Sequence, residues 1–372
     1  MFLLTSLYVP DFVPPDCNSL SIASLLFAQR QASAAKAAGV AAIGDPYTRG
    51  GQRLDAACEE VDTIARFFPD RYVRMTGHTG RGAAESSARQ IADYFWSCFY
   101  DYFEILGVPR SDIGRYLKGK TVLEYGPGDV PAVAFLMLAH GADAAVCVDR
   151  FELYRPSAAS TEVLSLLLGD LDGAARFRGD ACFRTPTDPA SGLAEPGFRY
   201  VRHDYGLSGL RNQADLVISR AALEYANDLS ATFADMRAAV RAEGIAVHKV
   251  DLAGQRCDDD HPLSFLTYPR ALWSAMCSHK NTVNRWRIDH YRRLLVEHDL
   301  KVVSLEPTAL ADPRLVAEVR PHLASCFRDV SDRDLSWLGF WLVVKKRASS
   351  VGGWIDQGSL DAEDIWAEER RA

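Results

Sequence analysis

The chain has 372 residues, of which 48% are hydrophobic, so it can bury a large core as two domains or as one enlarged domain. Its formal net charge of −7 and its isoelectric point near 5.8 argue against a general nucleic-acid-binding protein. No apolar run approaches the roughly 20 residues of a membrane span. The eight cysteines are scattered without a C-x-x-C pair, which favours reduced thiols and a cytoplasmic protein.

Residues 1–118 are predicted to be mainly helical and to form an N-terminal cap that contains the substrate region. Their last helix, predicted over Ala83–Leu106, is dense in aromatic side chains. The ordinary interpretation of these aromatic residues is packing against the next domain. The more specific interpretation is a lid that places a tyrosine hydroxyl near the substrate, with Tyr94, Tyr100 and Tyr102 as the candidates.

From Lys120 onwards, apolar runs alternate with helical segments, as a parallel sheet requires. Strands are predicted at 121–125, 144–149, 198–203, 214–219, 244–250, 301–306 and 338–346, and helices at 131–140 and 229–242. Residues 170–197 are predicted to be an insertion or a long loop, and residues 348–372 a loosely attached polar tail. The sequence therefore predicts an α/β domain over residues 119–347.

A glycine-rich turn follows the first predicted strand, in the sequence Thr121-Val-Leu-Glu-Tyr-Gly-Pro-Gly-Asp129. Gly126 and Gly128 allow a sharp turn and a close approach of the main chain to a ligand. The second strand ends in Asp149, where an acid can accept hydrogen bonds from both ribose hydroxyls. This pattern predicts a site for a nucleoside-containing cofactor.

The identity of the cofactor depends on the residues around this turn. A dinucleotide-binding turn needs a third small residue, but Pro131 stands at that position. Glu124 lies just before the turn and would repel a pyrophosphate, which weakens the alternative of a nicotinamide-dependent oxidoreductase. An acid at this position suits a positively charged ligand, such as the amino group and the sulfonium of S-adenosylmethionine.

The turn resembles motif I of the class I S-adenosylmethionine-dependent methyltransferases, which reads roughly E/D-x-G-x-G. The resemblance implies a Rossmann-like seven-stranded sheet with helices on both faces, in which the last strand is antiparallel. It also implies that Glu124 engages the amino group of the cofactor, directly or through water, and that Asp149 holds the ribose. The other cofactor-binding residues that it implies are Gly126, Pro127, Gly128, Arg150, Asp204 (beside the adenine amino group), Ser219 and Arg220.

A narrower resemblance connects several segments to bacterial methyltransferases of sugar, polysaccharide or secondary-metabolite pathways. These segments include Phe103–Gly107, Val148–Phe151, His248–Leu252, His261–Leu266 and Asn284–Arg287. The resemblance implies a small-molecule acceptor in a biosynthetic pathway. It does not identify the acceptor.

Transfer of a methyl group to oxygen or nitrogen requires a base, and three residues are candidates. His248 lies in the fifth predicted strand, His261 lies on the loop that follows, and Glu224 follows the fourth strand. A histidine with an ordinary pKa near 6.5 could accept the proton. The alternative for each histidine is a structural side chain.

Three further residues are candidates for contact with the substrate. Asp251 ends the fifth strand, and Arg285 and Arg287 could bind a carboxylate or a phosphate, or could simply cover the next helix. A metal site built from Asp251, Asp258, Asp260 and His261 is an alternative, but acids in a loop are more often solvated, so no metal is expected.

The sequence thus favours a methyltransferase that transfers a methyl group from S-adenosylmethionine to a small molecule. One alternative is an enzyme of the same fold that cyclises or transfers the aminocarboxypropyl arm of S-adenosylmethionine. A lesser alternative is a non-catalytic binding protein on this scaffold. Neither a nucleic acid nor a membrane is expected as a partner, and a homodimer is compatible with the sequence.

Overall fold

The computed structural model describes residues 87–155, 157–254, 261–270, 273 and 283–347. In this part of the chain the strands are β1 (Thr121–Tyr125), β2 (Ala144–Asp149), β3 (Phe198–Arg202), β4 (Ala214–Arg220), β5 (Val240–Asp251), β6 (Leu300–Leu310) and β7 (Trp337–Lys346). The helices are α1 (Ala88–Ile105), α2 (Ile113–Leu117), α3 (Ala132–Ala139), α4 (Ala158–Asp170), α5 (Gly173–Ala181), α6 (Leu229–Ala239), α7 (Ile288–Glu297), α8 (Pro313–Val319) and α9 (Asp332–Ser336).

The seven strands form one sheet in the order β3-β2-β1-β4-β5-β7-β6. Strands β1 to β5 run parallel to one another, whereas β7 is antiparallel to both β5 and β6. This order confirms the predicted Rossmann-like sheet with an antiparallel last strand. The strand order reverses between β1 and β4, and open α/β sheets bind ligands at the carboxyl ends of the strands at such a point.

Alternating side chains divide the core between the two faces of the sheet. Val122 packs on the face covered by α1, α3 and α4, whereas its neighbour Leu123 packs on the face covered by α6 and α7. This division follows from the period of two in a strand. Helices therefore cover both faces, as predicted.

Helix α1 is built into the first of these two cores. Ser87 caps its amino end in a capping box with Gln90. Its buried side chains include Phe95, Phe99 and Phe103, which join the cluster under the sheet. The predicted role of residues 1–118 as a cap over the active site stays a prediction, because residues 1–86 lie outside the described residues, as do those of the predicted tail.

Residues 170–197, predicted to be an insertion or a long loop, contain α5 and a short antiparallel bridge between Phe183 and Leu193, both of which are buried. One predicted element boundary is wrong. The helix predicted over 229–242 ends at Ala239, and β5 begins at once with Val240. Residues 241–243 of this strand are exposed, so the sequence there lacks the apolar pattern that would predict a strand.

Tyr125, the last residue of β1 before the glycine turn, is joined through Asp235 to the loop after β3. Its hydroxyl donates to Asp235 Oδ2 at 2.6 Å, and the same carboxylate accepts the main-chain N–H groups of Ser208 at 2.7 Å and Gly209 at 3.0 Å. Burial, reinforced by Asp235, raises the pKa of Tyr125, so the hydroxyl stays protonated and keeps donating.

Replacement of Tyr125 with phenylalanine is expected to lower the free energy of unfolding by about 1.5–3 kcal/mol, since it removes a buried hydrogen bond to a carboxylate. Urea unfolding followed by circular dichroism measures this change. Tyr116→Phe is the matched control, because the half-buried Tyr116 hydroxyl has no hydrogen-bond partner among the described residues. Equal losses for the two variants would contradict the anchoring role.

Candidate functional site

The glycine turn after β1 adopts a conformation that disfavours any side chain. Gly126 and Gly128 have φ angles of +67° and +76°, in the left-handed region. The N–H of Gly126 donates to the carbonyl of Val148 at 2.9 Å, which ties the turn to β2. A Cβ built on Gly126 would lie 2.6 Å from the Cβ of Ala222, in the segment after β4. The turn therefore brings the main chains at the ends of β1 and β4 close together.

Glu124 lies beside this turn on the α1 face of the sheet and is 8% exposed. The thiol of Cys147 approaches its Oε2 at 3.7 Å. Tyr102 of α1 is also near, since burial first and Glu124 second raise the pKa of its phenol. The Tyr102 hydroxyl is fully buried and has no hydrogen-bond partner among the described residues. Buried polar groups are normally hydrogen-bonded, so this hydroxyl is available to a ligand.

Asp149 ends β2 at the carboxyl edge, as predicted. Its Oδ1 accepts the N–H of Phe151 at 3.1 Å, a local turn that fixes the carboxylate at the strand end. The next residue, Arg150, donates to the side chain of Asn227, which follows β4. Asp204 lies beyond β3 at the same edge, where it is exposed and pairs with Arg202 at 2.9 Å. All three stay predicted cofactor ligands.

These residues fit S-adenosylmethionine by their chemistry. A carboxylate at the end of β1 suits a cationic amino group, a carboxylate at the end of β2 suits a ribose, and the glycine turn leaves the main chain bare between them. The unpartnered Tyr102 hydroxyl adds a buried donor next to Glu124. The buried Pro127, between the two glycines, stiffens the turn.

A pocket of about 280 Å³ lies beside this turn, beyond the ends of β4 and β5. Its polar lining residues include Arg220, Lys249 and Asp251, and Tyr94 of α1 forms part of its wall. Asp101 of α1 accepts a hydrogen bond from Arg220 Nη1 at 2.7 Å. The structure thus brings together Tyr94, Arg220 and Asp251, three of the residues predicted from sequence.

The three candidate tyrosines of α1 have different surroundings. Tyr94 lines the pocket and Tyr102 lies near Glu124. Tyr100 instead stacks on Trp96 and lies under the guanidinium of Arg110 at 3.9 Å. Its position among these residues, away from the pocket, makes Tyr100 a packing residue, so its assignment to the substrate is corrected.

His248 and Ser219 face each other inside the sheet. Both are 0% exposed, and Ser219 Oγ lies 2.7 Å from His248 Nδ1, because the two residues are register partners on β4 and β5. His248 Nε2 lies 2.9 Å from the sulfur of Met236. Burial lowers the pKa of His248 to about 3, so the ring stays neutral. A ring enclosed in this way is not placed to take a proton from a substrate, so the assignment of His248 as a base is corrected. Ser219 stays a predicted cofactor contact.

Glu224 is also enclosed, in a short 3₁₀ turn after β4. It is 0% exposed, and neither carboxyl oxygen has a hydrogen-bond partner among the described residues. Burial raises its pKa well above the ordinary value, which favours the neutral acid. Glu224 is not among the residues that line the pocket described above, and its role as a base stays a prediction.

The two arginines predicted to bind the substrate are structural. Arg287 is 2% exposed, and its guanidinium donates to the carbonyls of Leu252, Leu335 and Trp337. Arg285 is 7% exposed and donates to carbonyls of the segment 265–268, which joins that segment to the main body. The sequence prediction for both is corrected, since their donors bind the main chain.

His261 lies apart from the pocket, 3.9 Å from Glu318 of α8, and does not line it. The acids Asp258 and Asp260 of the alternative metal site lie outside the described residues. Among the residues that are described, no group of three or more His, Cys, Asp or Glu side chains could hold a metal ion. The role of His261 stays a prediction.

Sequence reasoning missed Lys249 and Trp341 as neighbours of the site. Lys249 is the register partner of both Arg220 on β4 and Trp341 on β7. The period of two already places Lys249 on the same strand face as Asp251, and this signal could have identified it. Trp341 could not be identified, because its neighbours depend on the insertion of β7 between β5 and β6.

No protein-family model matches the chain, and no curated protein matches its sequence. Solved structures do resemble it. One is an S-adenosylmethionine-dependent methyltransferase from Mesorhizobium loti, with 18% identity over 70% of this chain and 100% of the other and a TM-score of 0.38. Another is geranyl diphosphate C-methyltransferase from Streptomyces coelicolor A3(2), with 13% identity over 64% of this chain and 78% of the other and a TM-score of 0.36. Similarities this low carry no argument about activity, so the fold assignment rests on the strand order itself. Along the described ranges, none of the helices combines the length and apolar character needed to cross a membrane.

Proposed function

We propose that the chain is an S-adenosylmethionine-dependent methyltransferase that methylates an oxygen or nitrogen atom of a small molecule. The observation that carries the proposal is the placement of Glu124 and Asp149 at the carboxyl ends of adjacent parallel strands, with the turn at Gly126 beside them. Bound S-adenosylmethionine would supply an electrophilic methyl group. The cationic amino group would bind Glu124, and the ribose would bind Asp149.

The chain itself contributes position and exclusion of water. Glu124 and the Tyr102 side chain are buried between the sheet and α1, so a ligand that reaches them is held away from solvent. The pocket beyond β4 and β5 would place the acceptor next to the methyl group, and correct placement supplies much of the rate of such a transfer. Asp251 lines this pocket, and its carboxylate replaces the enclosed His248 as the proposed proton acceptor.

The finer assignments are part of the same proposal. The resemblance of segments such as Phe103–Gly107 and His248–Leu252 to sugar and secondary-metabolite methyltransferases supports a role in biosynthesis. The buried thiols of Cys98 and Cys147 form no disulfide within the described residues, which supports a reducing compartment, so we assign the protein to the cytoplasm. A homodimer remains compatible with this assignment.

Replacement of Asp149 with alanine is expected to weaken the binding of S-adenosylhomocysteine by about 1–3 kcal/mol, the scale for losing hydrogen bonds to a charged group. Isothermal titration calorimetry on the full-length chain measures the change. Asp143→Ala is the matched control, because Asp143 is an exposed acid just before the opposite end of β2. If both variants bind like the wild type, the ribose does not lie at Asp149.

The identity of the product separates methyl transfer from the alternatives. S-adenosylhomocysteine is expected from methyl transfer. Release of 5′-methylthioadenosine would instead indicate cyclisation or transfer of the aminocarboxypropyl arm. Failure of the wild-type chain to bind either S-adenosylmethionine or S-adenosylhomocysteine would contradict the proposal and favour a binding protein of another kind.

A further inference from the structure

We propose that the pocket beyond β4 and β5 binds an oxyanion of the methyl acceptor, a carboxylate or a phosphate, through Lys249 and Arg220. This inference rests on the proposed function, because only a methyltransferase has a methyl acceptor. The binding of an oxyanion at this pocket can be tested without the cofactor.

The two cations lie side by side because of the strand register. Arg220, Lys249 and Trp341 are register partners on β4, β5 and β7, so their side chains form one row on the α1 face of the sheet. The Lys249 ammonium lies 5.4 Å and the Arg220 guanidinium 5.9 Å from the centre of the Trp341 ring. The ring of Tyr94, on α1, also lies against this row, with its centre 5.5 Å from the Arg220 guanidinium. The ring faces favour cations here but do not neutralise them.

Asp101 of α1 fixes the position of Arg220 but engages only part of its N–H donors. The carboxylate accepts from Arg220 Nη1, and a guanidinium has five N–H donors in a planar fork. No other protein acceptor for these donors lies among the described residues. A planar fork with several donors open is the geometry that binds a carboxylate or a phosphate.

Lys249 has no carboxylate within ion-pair distance among the described residues. Its half-buried ammonium has a lowered pKa, first because of burial and then because of the neighbouring Arg220. Asp251, which also faces the pocket, accepts a hydrogen bond from the main-chain N–H of Ala253 at 2.9 Å. The carboxylates of Asp101 and Asp251 act in the opposite direction on this pKa, but neither forms an ion pair with Lys249, because Asp101 pairs with Arg220. An oxyanion beside Lys249 and Arg220 would therefore give the ammonium the direct partner that it lacks among the described residues.

The pocket lies where an acceptor needs to be. Ala221 lines the pocket, and the next residue, Ala222, touches the glycine turn at Gly126. The pocket and the cofactor turn are therefore connected by two consecutive residues. The remaining wall, with Tyr94, Ala309 and Leu338, offers apolar surface for the rest of the molecule.

Binding of small aromatic probes to the full-length protein tests the proposal, since the natural acceptor is unidentified. Benzoate, phenyl phosphate and neutral benzamide are titrated by ligand-observed NMR, with and without S-adenosylhomocysteine. At least one anionic probe is expected to bind about tenfold more tightly than benzamide, the scale of one charge-assisted hydrogen bond. The stronger of the two anions identifies the carboxylate or the phosphate.

Lys249→Met is expected to weaken the binding of the preferred anion by about tenfold, and Lys249→Arg to retain most of it. Lys345→Met, an exposed lysine near the far end of β7, is the matched control and should bind like the wild type. Binding of S-adenosylhomocysteine should be unchanged in all three variants, which separates this site from the cofactor site.

The proposal is overturned if neither anion binds the wild type, if benzamide binds as tightly as the anions, or if Lys249→Met leaves anion binding unchanged. These outcomes say nothing against the methyltransferase proposal. Conversely, failure to bind S-adenosylhomocysteine with intact anion binding would contradict the methyltransferase proposal alone.

Discussion

Replacement of Gly126 with valine is expected to abolish detectable binding of S-adenosylmethionine while the sheet stays folded. A β-branched side chain at a φ of +67° costs about 1–2 kcal/mol of backbone strain. The new Cβ would also lie 2.6 Å from the Cβ of Ala222, an overlap that costs about 1–3 kcal/mol more or displaces the turn. Calorimetry with S-adenosylhomocysteine measures the loss of binding, and circular dichroism shows whether the sheet stays folded.

A pair of alanine variants separates backbone strain from steric overlap. Gly119→Ala has a similar φ of +76° but meets no atom within 4 Å, so it carries the strain alone and should bind normally. In Gly126→Ala, the additional change Ala222→Gly removes the overlapping methyl group and should restore part of the lost affinity. Normal binding by Gly126→Val would show that the cofactor lies elsewhere.

Removal of residues 1–118 is expected to prevent folding of the remaining chain. Helix α1 contributes four buried aromatic side chains, Phe95, Phe99, Tyr102 and Phe103, to the core beneath the sheet. Burial of each contributes about 1.5–3 kcal/mol, so their sum is comparable with the whole stability of a typical domain, about 5–15 kcal/mol. Circular dichroism and the chemical-shift dispersion of proton NMR spectra test whether fragment 119–372 folds.

A point substitution in the full-length chain isolates the contribution of α1. Phe99→Ala should lower the free energy of unfolding by about 3–5 kcal/mol. Phe177→Ala on α5 is the matched control, because its side chain is 78% exposed and its loss should cost little. A fragment 119–372 that unfolds cooperatively, or equal effects of the two alanine substitutions, would contradict the integration of α1.

The positions of strands β1 and β2 and of the glycine turn could be predicted because their signals are local. Strands β1 and β2 begin and end at the predicted residues, since each is a continuous apolar run between turn residues. Gly126 and Asp149 follow directly from these strand ends. Strand alternation and glycine conformation act over a few residues, and one sequence contains them in full.

The partners of the buried polar residues could not be predicted in this way. His248 meets Ser219 only because β4 and β5 pair in one particular register, and Arg287 is enclosed only because three distant carbonyls converge on it. Such contacts join segments far apart in the chain. The residue types predicted catalysis or binding, whereas long-range packing gave them structural roles.

The insertion of β7 has a consequence for the order in which the protein can be made. Strand β7 pairs with both β5 and β6, so these two strands have no contact across the sheet until residues 337–346 join them. It also supplies Leu338 and Gly339 to the pocket wall and Trp341 to the row of cations. During synthesis on the ribosome, the residues of the glycine turn and its two acids emerge long before β7, which supplies one side of the pocket. A chain that ends before β7 would contain Glu124 and Asp149 but would lack this wall of the pocket.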